Sequence, residues 1–192
     1  AYTDEFLRRL KEAVARLSEV TLTREELEYM TKHCRFLPGV YWEWLSSFRF
    51  RPDKIDISLD KDRHLSIEIT DYLYKATLYE VPLLAIVSEI KNQVLGNVAD
   101  MDDIICKLSE KVTLSNEHRL SFSEFGTRRR FSFDVQDKVI DCLKQTAHYC
   151  TGTSNCHFAM KYGLKTMGTH PHEWFMFHGA QFGYKHANYM AL

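Results

Sequence analysis

Helical periodicity dominates the start of the chain. Apolar residues recur at helical spacing over residues 6–17, which predicts an amphipathic helix. Thr23 and Glu26 have the spacing of a capping box, so a second helix is predicted to start at Thr23 and to run to about residue 33. The aromatic segment 41–48 is typical of a helix that docks on a hydrophobic core.

A period of two replaces the helical period in the next segment. Apolar residues alternate with polar ones over residues 55–59 and again over 65–69, with a polar turn at 60–63 between them. This pattern predicts an antiparallel hairpin with one buried face. Residues 72–80 are predicted to add a further strand.

Two more helices are predicted before the pattern changes again. Pro82 suits the first position of a strongly apolar helix that Gly96 ends. The next helix is predicted over residues 100–112, with its apolar residues pointing inward.

From residue 119 onward, a short apolar segment, a loop and a helix follow one another three times. Ser132 is predicted to cap the first of these helices, and Gly163 to end the second in a left-handed conformation. The threefold alternation predicts a parallel α/β arrangement, in which the loops after the strands line the active site. These loops lie within residues 124–130, 152–155 and 168–172.

Composition narrows the class of protein. The 25 basic and 26 acidic residues nearly cancel, so no general positive field favours nucleic acid. The five cysteines are odd in number and irregular in spacing, which favours free thiols in a reducing, cytoplasmic compartment. No apolar run approaches the roughly 20 residues that cross a membrane, and no signal peptide is visible. Both ends look cut, since neither carries a start or stop signal.

All three loops carry chemistry that suits anions. The first holds Arg128, Arg129 and Arg130, and the other two begin helices with Gly-Thr-Ser-Asn and Gly-Thr-x-x-His. Guanidinium groups and helix N-termini both bind phosphate, so a substrate with several negative charges is expected. Alternation along an extended segment predicts that Arg128 and Arg130 point together while Arg129 points away. A solvated surface patch is the alternative interpretation of the three arginines.

Histidines in the third loop allow more than one interpretation. The three histidines are His170, His172 and His178. The His170-x-His172 pair could bind a metal, but it lies at a helix start with no clear third ligand, and a structural role is the simpler alternative for each histidine. With Pro171 as the first helical residue, His172 would point from the first turn toward the anion site. A neutral imidazole there could accept a phosphoryl group or act as an acid or base.

The three loops together carry a specific resemblance. The series Phe-Gly-Thr-Arg-Arg-Arg at 125–130, Gly-Thr-Ser-Asn at 152–155 and Gly-Thr-His-Pro-His-Glu-Trp-Phe at 168–175 resembles the signature motifs of nicotinate phosphoribosyltransferases in order and separation. Residues 48–50 and 79–85 are also similar to that family. The resemblance covers nearly the whole chain from Thr23 onward.

Membership of this family implies a fold and an activity. The expected fold is α/β and type II phosphoribosyltransferase-like, with an N-terminal α+β domain at 1–118 followed by the first part of an irregular α/β barrel at 119–192. The implied reaction is ATP-coupled transfer of phosphoribosyl from phosphoribosyl pyrophosphate to nicotinate, with Mg²⁺, in NAD biosynthesis. The implied assembly is a cytoplasmic homodimer, without nucleic-acid or membrane partners, and we expect these 192 residues alone to be inactive.

The resemblance also implies roles for five residues. Phe125 matches the aromatic residue that stacks on the pyridine ring, and Arg128 the arginine near phosphoribosyl pyrophosphate. Ser154 and Thr169 match positions close to nicotinate, and His172 matches the histidine that ATP phosphorylates. Relatives that prefer nicotinamide carry an acidic residue at the position of Ser154, where a carboxylate would repel nicotinate.

Two alternatives stay open at this point. One is a phosphoribosyltransferase for nicotinamide or quinolinate. The other, of a different class, is a non-catalytic binding or assembly fragment, because the family's N-terminal aromatic segment and its later phosphate-binding loops are not found within the 192 residues.

Overall fold

The first hydrophobic core lies between the N-terminal helix and the elements that follow it. The computed structural model describes residues 2–192, so Ala1, the first residue of the predicted cut terminus, lies outside the described residues. Helix α1 (Asp4–Ala15) begins at Thr3, whose hydroxyl accepts a hydrogen bond from the Phe6 amide. Phe6, Leu10 and Val14 of this helix are buried at the predicted helical spacing.

The predicted hairpin packs on this core. Strands β1 (Ile55–Leu59) and β2 (Leu65–Ile69) pair antiparallel, with Ile57 opposite Ile67, as the alternation predicts. Asp60 closes the turn, since its carboxylate accepts hydrogen bonds from the backbone amides of residues 62 and 64.

The further strand predicted over residues 72–80 is wrong. Helix α4 (Leu73–Ala76) forms there instead, and the amides of Lys75 and Ala76 donate to the Tyr72 carbonyl. Tyr72 and Leu73 are exposed and only Tyr79 is fully buried, so buried and exposed side chains do not alternate along this segment, and no strand within residues 2–192 pairs with it.

The other predicted helices are present with bounds close to the sequence-based ones, except that the helix predicted over 100–112 extends to Glu117. The capping box is present at Thr23 and Glu26, and Gly96 follows the end of its helix with a positive φ of 67°. Pro82 is the third residue of its helix rather than the first. The helices are α2 (Arg24–His33), α3 (Gly39–Ser47), α5 (Glu80–Val94) and α6 (Met101–Glu117).

A second core forms around a parallel pair of strands. Strands β3 (Phe122–Glu124) and β4 (Cys150–Thr153) pair parallel, and helices α7 (Phe133–Thr146) and α8 (Cys156–Tyr162) follow them in turn. The core consists mainly of four buried residues, which are Val112, Ile140, Leu143 and Phe158. Ser132 caps α7 and Gly163, with a φ of 62°, ends α8, both as predicted.

The third predicted strand, at 164–167, is reduced to one bridge. Thr166 pairs parallel with Thr153, so the α/β alternation is present but its third strand is minimal. The approach is close at Gly152, where a Cβ would lie 2.1 Å from the Lys165 carbonyl oxygen. Helices α9 (His172–Phe182) and α10 (Ala187–Ala191) complete the described chain.

Three observations bear on the domain organisation and on the class of protein. The first core draws on residues 2–94 and the second on residues 108–164, while the predicted boundary after residue 118 stays a prediction. Within residues 2–192, no helix combines the length and the apolar character that crossing a membrane requires. All five cysteines are free, as predicted.

Candidate functional site

One large cavity lies where the loops after β3 and β4 meet α2, the start of α5 and the start of α9. Its volume is about 810 Å³, which is within the usual range for a small-molecule site. The residues predicted for the site all line it: Phe125, Arg128, Ser154, Thr169 and His172. The structure therefore brings together side chains from the three predicted loops, and the role of each stays a prediction.

Phe125 and Arg128 reach the cavity from the loop after β3. The Phe125 ring is partly exposed, and Thr127–Arg129 form a single 3₁₀ turn. The Arg128 guanidinium makes a short charge-assisted hydrogen bond to the carboxylate of Glu80, at the start of α5. The extended conformation assumed for the three arginines is thus wrong, because the turn rather than strand alternation sets their directions.

The other two arginines do not line the cavity. Arg129 is exposed, whereas the Arg130 side chain is only 16% exposed. Arg130 lies 3.4 Å from Glu89 and over the Phe133 ring, 5.2 Å from its centroid. Arg130 therefore ties the loop to α5 and α7, and the proposed surface patch describes Arg129 alone.

The loop after β4 supplies Ser154 and the start of α8. Asn155 caps that helix by accepting from the Phe158 amide, so one donor of the predicted anion site is already used. Cys156 follows it in the cavity wall, and burial together with nearby Cys34 raises the pKa of this thiol to about 11.

His172 is the first residue of α9, and its side chain is 72% exposed. Pro171 occupies the position before the helix rather than its first turn, which corrects the predicted register by one residue. No side chain caps this helix. The Trp174 amide donates to the Pro171 carbonyl at 3.1 Å, so the His172 and Glu173 amides are left for a ligand at the cavity wall. The His172 Nε2 atom lies 2.8 Å from a carboxylate oxygen of Glu173.

The metal interpretation of the three histidines gains no support from the geometry. His178 is buried, with its Nδ1 atom 2.9 Å from the Trp174 carbonyl oxygen. Among residues 2–192, the one trio of metal-ligating side chains that converge is exposed on the hairpin turn and does not line the cavity. That trio is Asp60, Asp62 and His64.

Sequence reasoning missed several residues of the cavity wall. Glu80 belonged to a motif that resembled the family, but nothing in the sequence indicated that it pairs with Arg128, 48 positions away. Tyr29 of α2 lines the cavity and donates to the Leu164 carbonyl at 3.3 Å, and burial raises the pKa of its phenol. No local signal marks an amphipathic helix such as α2 as part of a site.

Comparisons with known proteins agree on one family. Residues 2–88 match the nicotinate phosphoribosyltransferase N-terminal domain, and residues 120–192 match the nicotinate phosphoribosyltransferase family. A nicotinate phosphoribosyltransferase of Chromohalobacter salexigens is 40% identical over all of this chain, which covers 50% of that protein.

Solved structures give the same result for the fold. The crystal structure of the Porphyromonas gingivalis nicotinate phosphoribosyltransferase has a TM-score of 0.94 and 43% identity over the whole chain, which covers 49% of it. The Vibrio cholerae enzyme has a TM-score of 0.89 and 30% identity, with 100% and 48% of the two chains covered. The predicted type II phosphoribosyltransferase-like fold is confirmed, and the chain spans about half the length of the curated relatives it matches.

Proposed function

The chain belongs to the nicotinate phosphoribosyltransferase family, and from this we propose that the protein carrying it makes nicotinate mononucleotide in NAD biosynthesis. The phosphoribosyl donor is phosphoribosyl pyrophosphate, and pyrophosphate is the second product. One observation carries the proposal: the five predicted residues, from three separate loops, line a single cavity of about 810 Å³.

Nicotinate is held by the loops after β3 and β4, together with Thr169 from the loop before α9. The partly exposed Phe125 ring offers a flat apolar surface for the pyridine ring. The hydroxyls of Ser154 and Thr169 can donate to the nicotinate carboxylate, and neither residue repels a negative charge. Nicotinamide gains less from the same hydroxyls, because a hydrogen bond to its neutral amide is weaker than one to a charged carboxylate.

Phosphoribosyl pyrophosphate is held by Arg128 and by the uncapped start of α9. A guanidinium binds phosphate through paired hydrogen bonds, and Glu80 fixes the direction of this one. The nicotinate nitrogen attacks the ribose C1 atom while the C1–O bond to pyrophosphate breaks. Catalysis then consists mainly of positioning the two reactants and stabilising charge on the leaving group.

ATP acts through His172. A ring nitrogen of His172 attacks the γ-phosphorus of ATP, so ADP leaves and a phosphohistidine forms. Glu173, 2.8 Å from Nε2, holds the imidazole in one orientation and can hold its proton. The exposure of the imidazole supports this role, since a nucleotide must reach it. Hydrolysis of the phosphohistidine couples ATP use to synthesis.

Mg²⁺ enters this scheme with its polyphosphate ligands. The three carboxylates of the cavity wall, those of Glu26, Glu80 and Glu173, already have neighbouring partners in Thr23, Arg128 and His172. Mg²⁺ commonly reaches such sites bound to substrate phosphates, with few protein ligands. We therefore assign Mg²⁺ to the complexes of phosphoribosyl pyrophosphate and ATP. Homodimer assembly and a cytoplasmic location, both implied by the resemblance, belong to the same proposal.

A comparison of three acceptors tests the proposed function. The whole protein is given phosphoribosyl pyrophosphate, Mg²⁺ and ATP with nicotinate, nicotinamide or quinolinate, and the mononucleotides are separated by chromatography. We expect nicotinate to give the highest kcat/KM. A higher value with nicotinamide or quinolinate would replace the acceptor. The absence of any mononucleotide from a folded whole protein would favour the non-catalytic alternative.

A further inference from the structure

One carboxylate, that of Glu124, lies at the junction of the loops after β3 and β4. One of its oxygens accepts hydrogen bonds from the Gly126 amide and from the Gln136 side-chain amide, the latter at 2.8 Å. Its other oxygen accepts from the Thr153 hydroxyl at 2.6 Å. The three donors are uncharged, so the group organises polar atoms rather than neutralising a cation.

The surroundings of this carboxylate are too restricted for a surface group. Thr153 is fully buried and Gln136 is only 6% exposed. A Cβ atom at Gly126 would lie 2.8 Å from the Glu124 oxygen, so any larger residue there would displace that oxygen from its donors. The glycine of the first loop motif is thus explained by the approach of this carboxylate.

Further hydrogen bonds join the same two loops. The Ser154 amide donates to the Glu124 carbonyl at 2.9 Å, and the Asn155 side chain donates to the Thr127 hydroxyl at 3.0 Å. The Thr153 hydroxyl, which donates to Glu124, also accepts from the Asn155 amide at 3.1 Å. The two loops are therefore connected at several points, and the Glu124 carboxylate lies between them.

Two residues of the cavity lie between these fixed points. Phe125 is flanked by Glu124 and Gly126, which bond to each other. Ser154 is flanked by Thr153, which bonds to Glu124, and by Asn155, which bonds to Thr127. We propose that Glu124, acting through Thr153, is a positioning residue that sets the separation of the Phe125 ring and the Ser154 hydroxyl for a pyridine carboxylate. This inference rests on the proposed function.

The donor side of the cavity has separate supports. Glu80 on α5 holds Arg128, and Glu173 lies beside His172 on α9. Loss of the Glu124 carboxylate leaves both of these contacts in place. The effect is thus expected on the acceptor and not on phosphoribosyl pyrophosphate, a split that general damage to the fold would not produce.

Steady-state kinetics of the whole protein test this split. For Glu124→Ala we expect the KM for nicotinate to rise about tenfold, as loss of buried hydrogen-bonding partners would produce, with less than about a threefold change for phosphoribosyl pyrophosphate. Glu124→Gln keeps the size and one acceptor, and the Thr153 hydroxyl can reverse its bond, so this variant should recover most of the loss.

The chain offers a matched control on the same two strands. The Ser123 and Thr151 hydroxyls are 2.7 Å apart across β3 and β4, and neither residue lines the cavity. The double variant Ser123→Ala/Thr151→Val removes this cross-strand hydrogen bond and the one that the Thr151 hydroxyl donates to the Phe122 carbonyl at 3.0 Å. We expect it to leave both KM values unchanged.

A second pair of variants keeps the inference falsifiable if Glu124→Ala does not fold. Thr153→Val removes the hydroxyl and Thr153→Ser keeps it, so only the first should raise the KM for nicotinate. Equal rises for both substrates, or an unchanged KM for nicotinate, would overturn the inference while the proposed function stands. If the unchanged protein makes no product, the proposed function fails. The inference is then decided by calorimetry of nicotinate binding, with weaker binding by Thr153→Val than by Thr153→Ser expected and equal binding overturning it.

Discussion

Two parts of the cavity wall are held in different ways. The strand-loop side, residues 124–127 and 153–155, is joined by hydrogen bonds that involve the fully buried Thr153. The α9 side, residues 171–173, begins an uncapped helix whose His172 side chain is 72% exposed. A wall held by several hydrogen bonds thus shares one cavity with a wall that begins an uncapped helix.

The difference agrees with two separate chemical tasks. A small planar acceptor gains from contacts that are fixed before it binds, because little ordering entropy is then lost. A phosphoryl acceptor must instead be reached by a nucleotide and released again. The strand-loop side is thus suited to recognition of nicotinate and the α9 side to coupling with ATP.

The largest effect is expected on the α9 side. We expect His172→Ala to abolish transfer of labelled γ-phosphate from ATP to the protein, because the nucleophilic nitrogen is lost. The label is measured by autoradiography under alkaline conditions, which preserve phosphohistidine. His148→Ala, at an exposed histidine outside the cavity, should keep the full label. A labelled His172→Ala protein would assign the modification to another residue.

Thiol chemistry should report the burial of Cys156, which directly follows the strand-loop side. With a pKa raised to about 11, Cys156 carries only about a thousandth of its population as reactive thiolate at pH 8. We expect iodoacetamide to modify the exposed Cys106 more than about tenfold faster, as followed by peptide mass spectrometry. Equal rates at the two cysteines would mean that solvent reaches the Cys156 thiol freely.

The ring contact should give a smaller, acceptor-specific effect. Phe125→Ala removes the apolar surface on which the pyridine ring lies, and we expect about a tenfold rise in the KM for nicotinate. Phe125→Tyr keeps the ring and serves as the control. If both variants raise the KM equally, the ring face does not contact the acceptor.

Arg128 should affect the other substrate. Arg128→Lys keeps the charge but loses the paired hydrogen bonds, so the KM for phosphoribosyl pyrophosphate should rise several-fold. The KM for nicotinate should change little, because the Glu124 contacts of the strand-loop side are untouched. The two constants are measured in the same steady-state experiment, and a change confined to nicotinate would contradict the division.

The smallest effect is expected on stability. Thr23→Ala breaks the capping box of α2 and should lower the free energy of unfolding by about 1 kcal/mol. Urea denaturation measures this change, and Thr23→Ser should restore most of it. A loss well above that value would show that α2 supports the cavity wall through more than its own cap.

Local patterns predicted much of the fold but little of its internal support. The hairpin followed from strict alternation over 55–59 and 65–69, whereas 72–80 failed because Tyr72 and Leu73 have no strand to pair with. The five site residues were found through the resemblance of three loops to one family. The partners of Glu124 lie up to 29 positions away, and no local pattern encodes such tertiary hydrogen bonds.

The most direct test of the account is nicotinate mononucleotide formation by the whole protein, measured with radiolabelled nicotinate, phosphoribosyl pyrophosphate and Mg²⁺, with and without ATP. We expect product in both cases and more of it with ATP, because the strand-loop side binds nicotinate and phosphorylation of His172 couples ATP use to synthesis. Product that does not respond to ATP would remove the role of the α9 side. No product from the folded whole protein would contradict the proposed function itself.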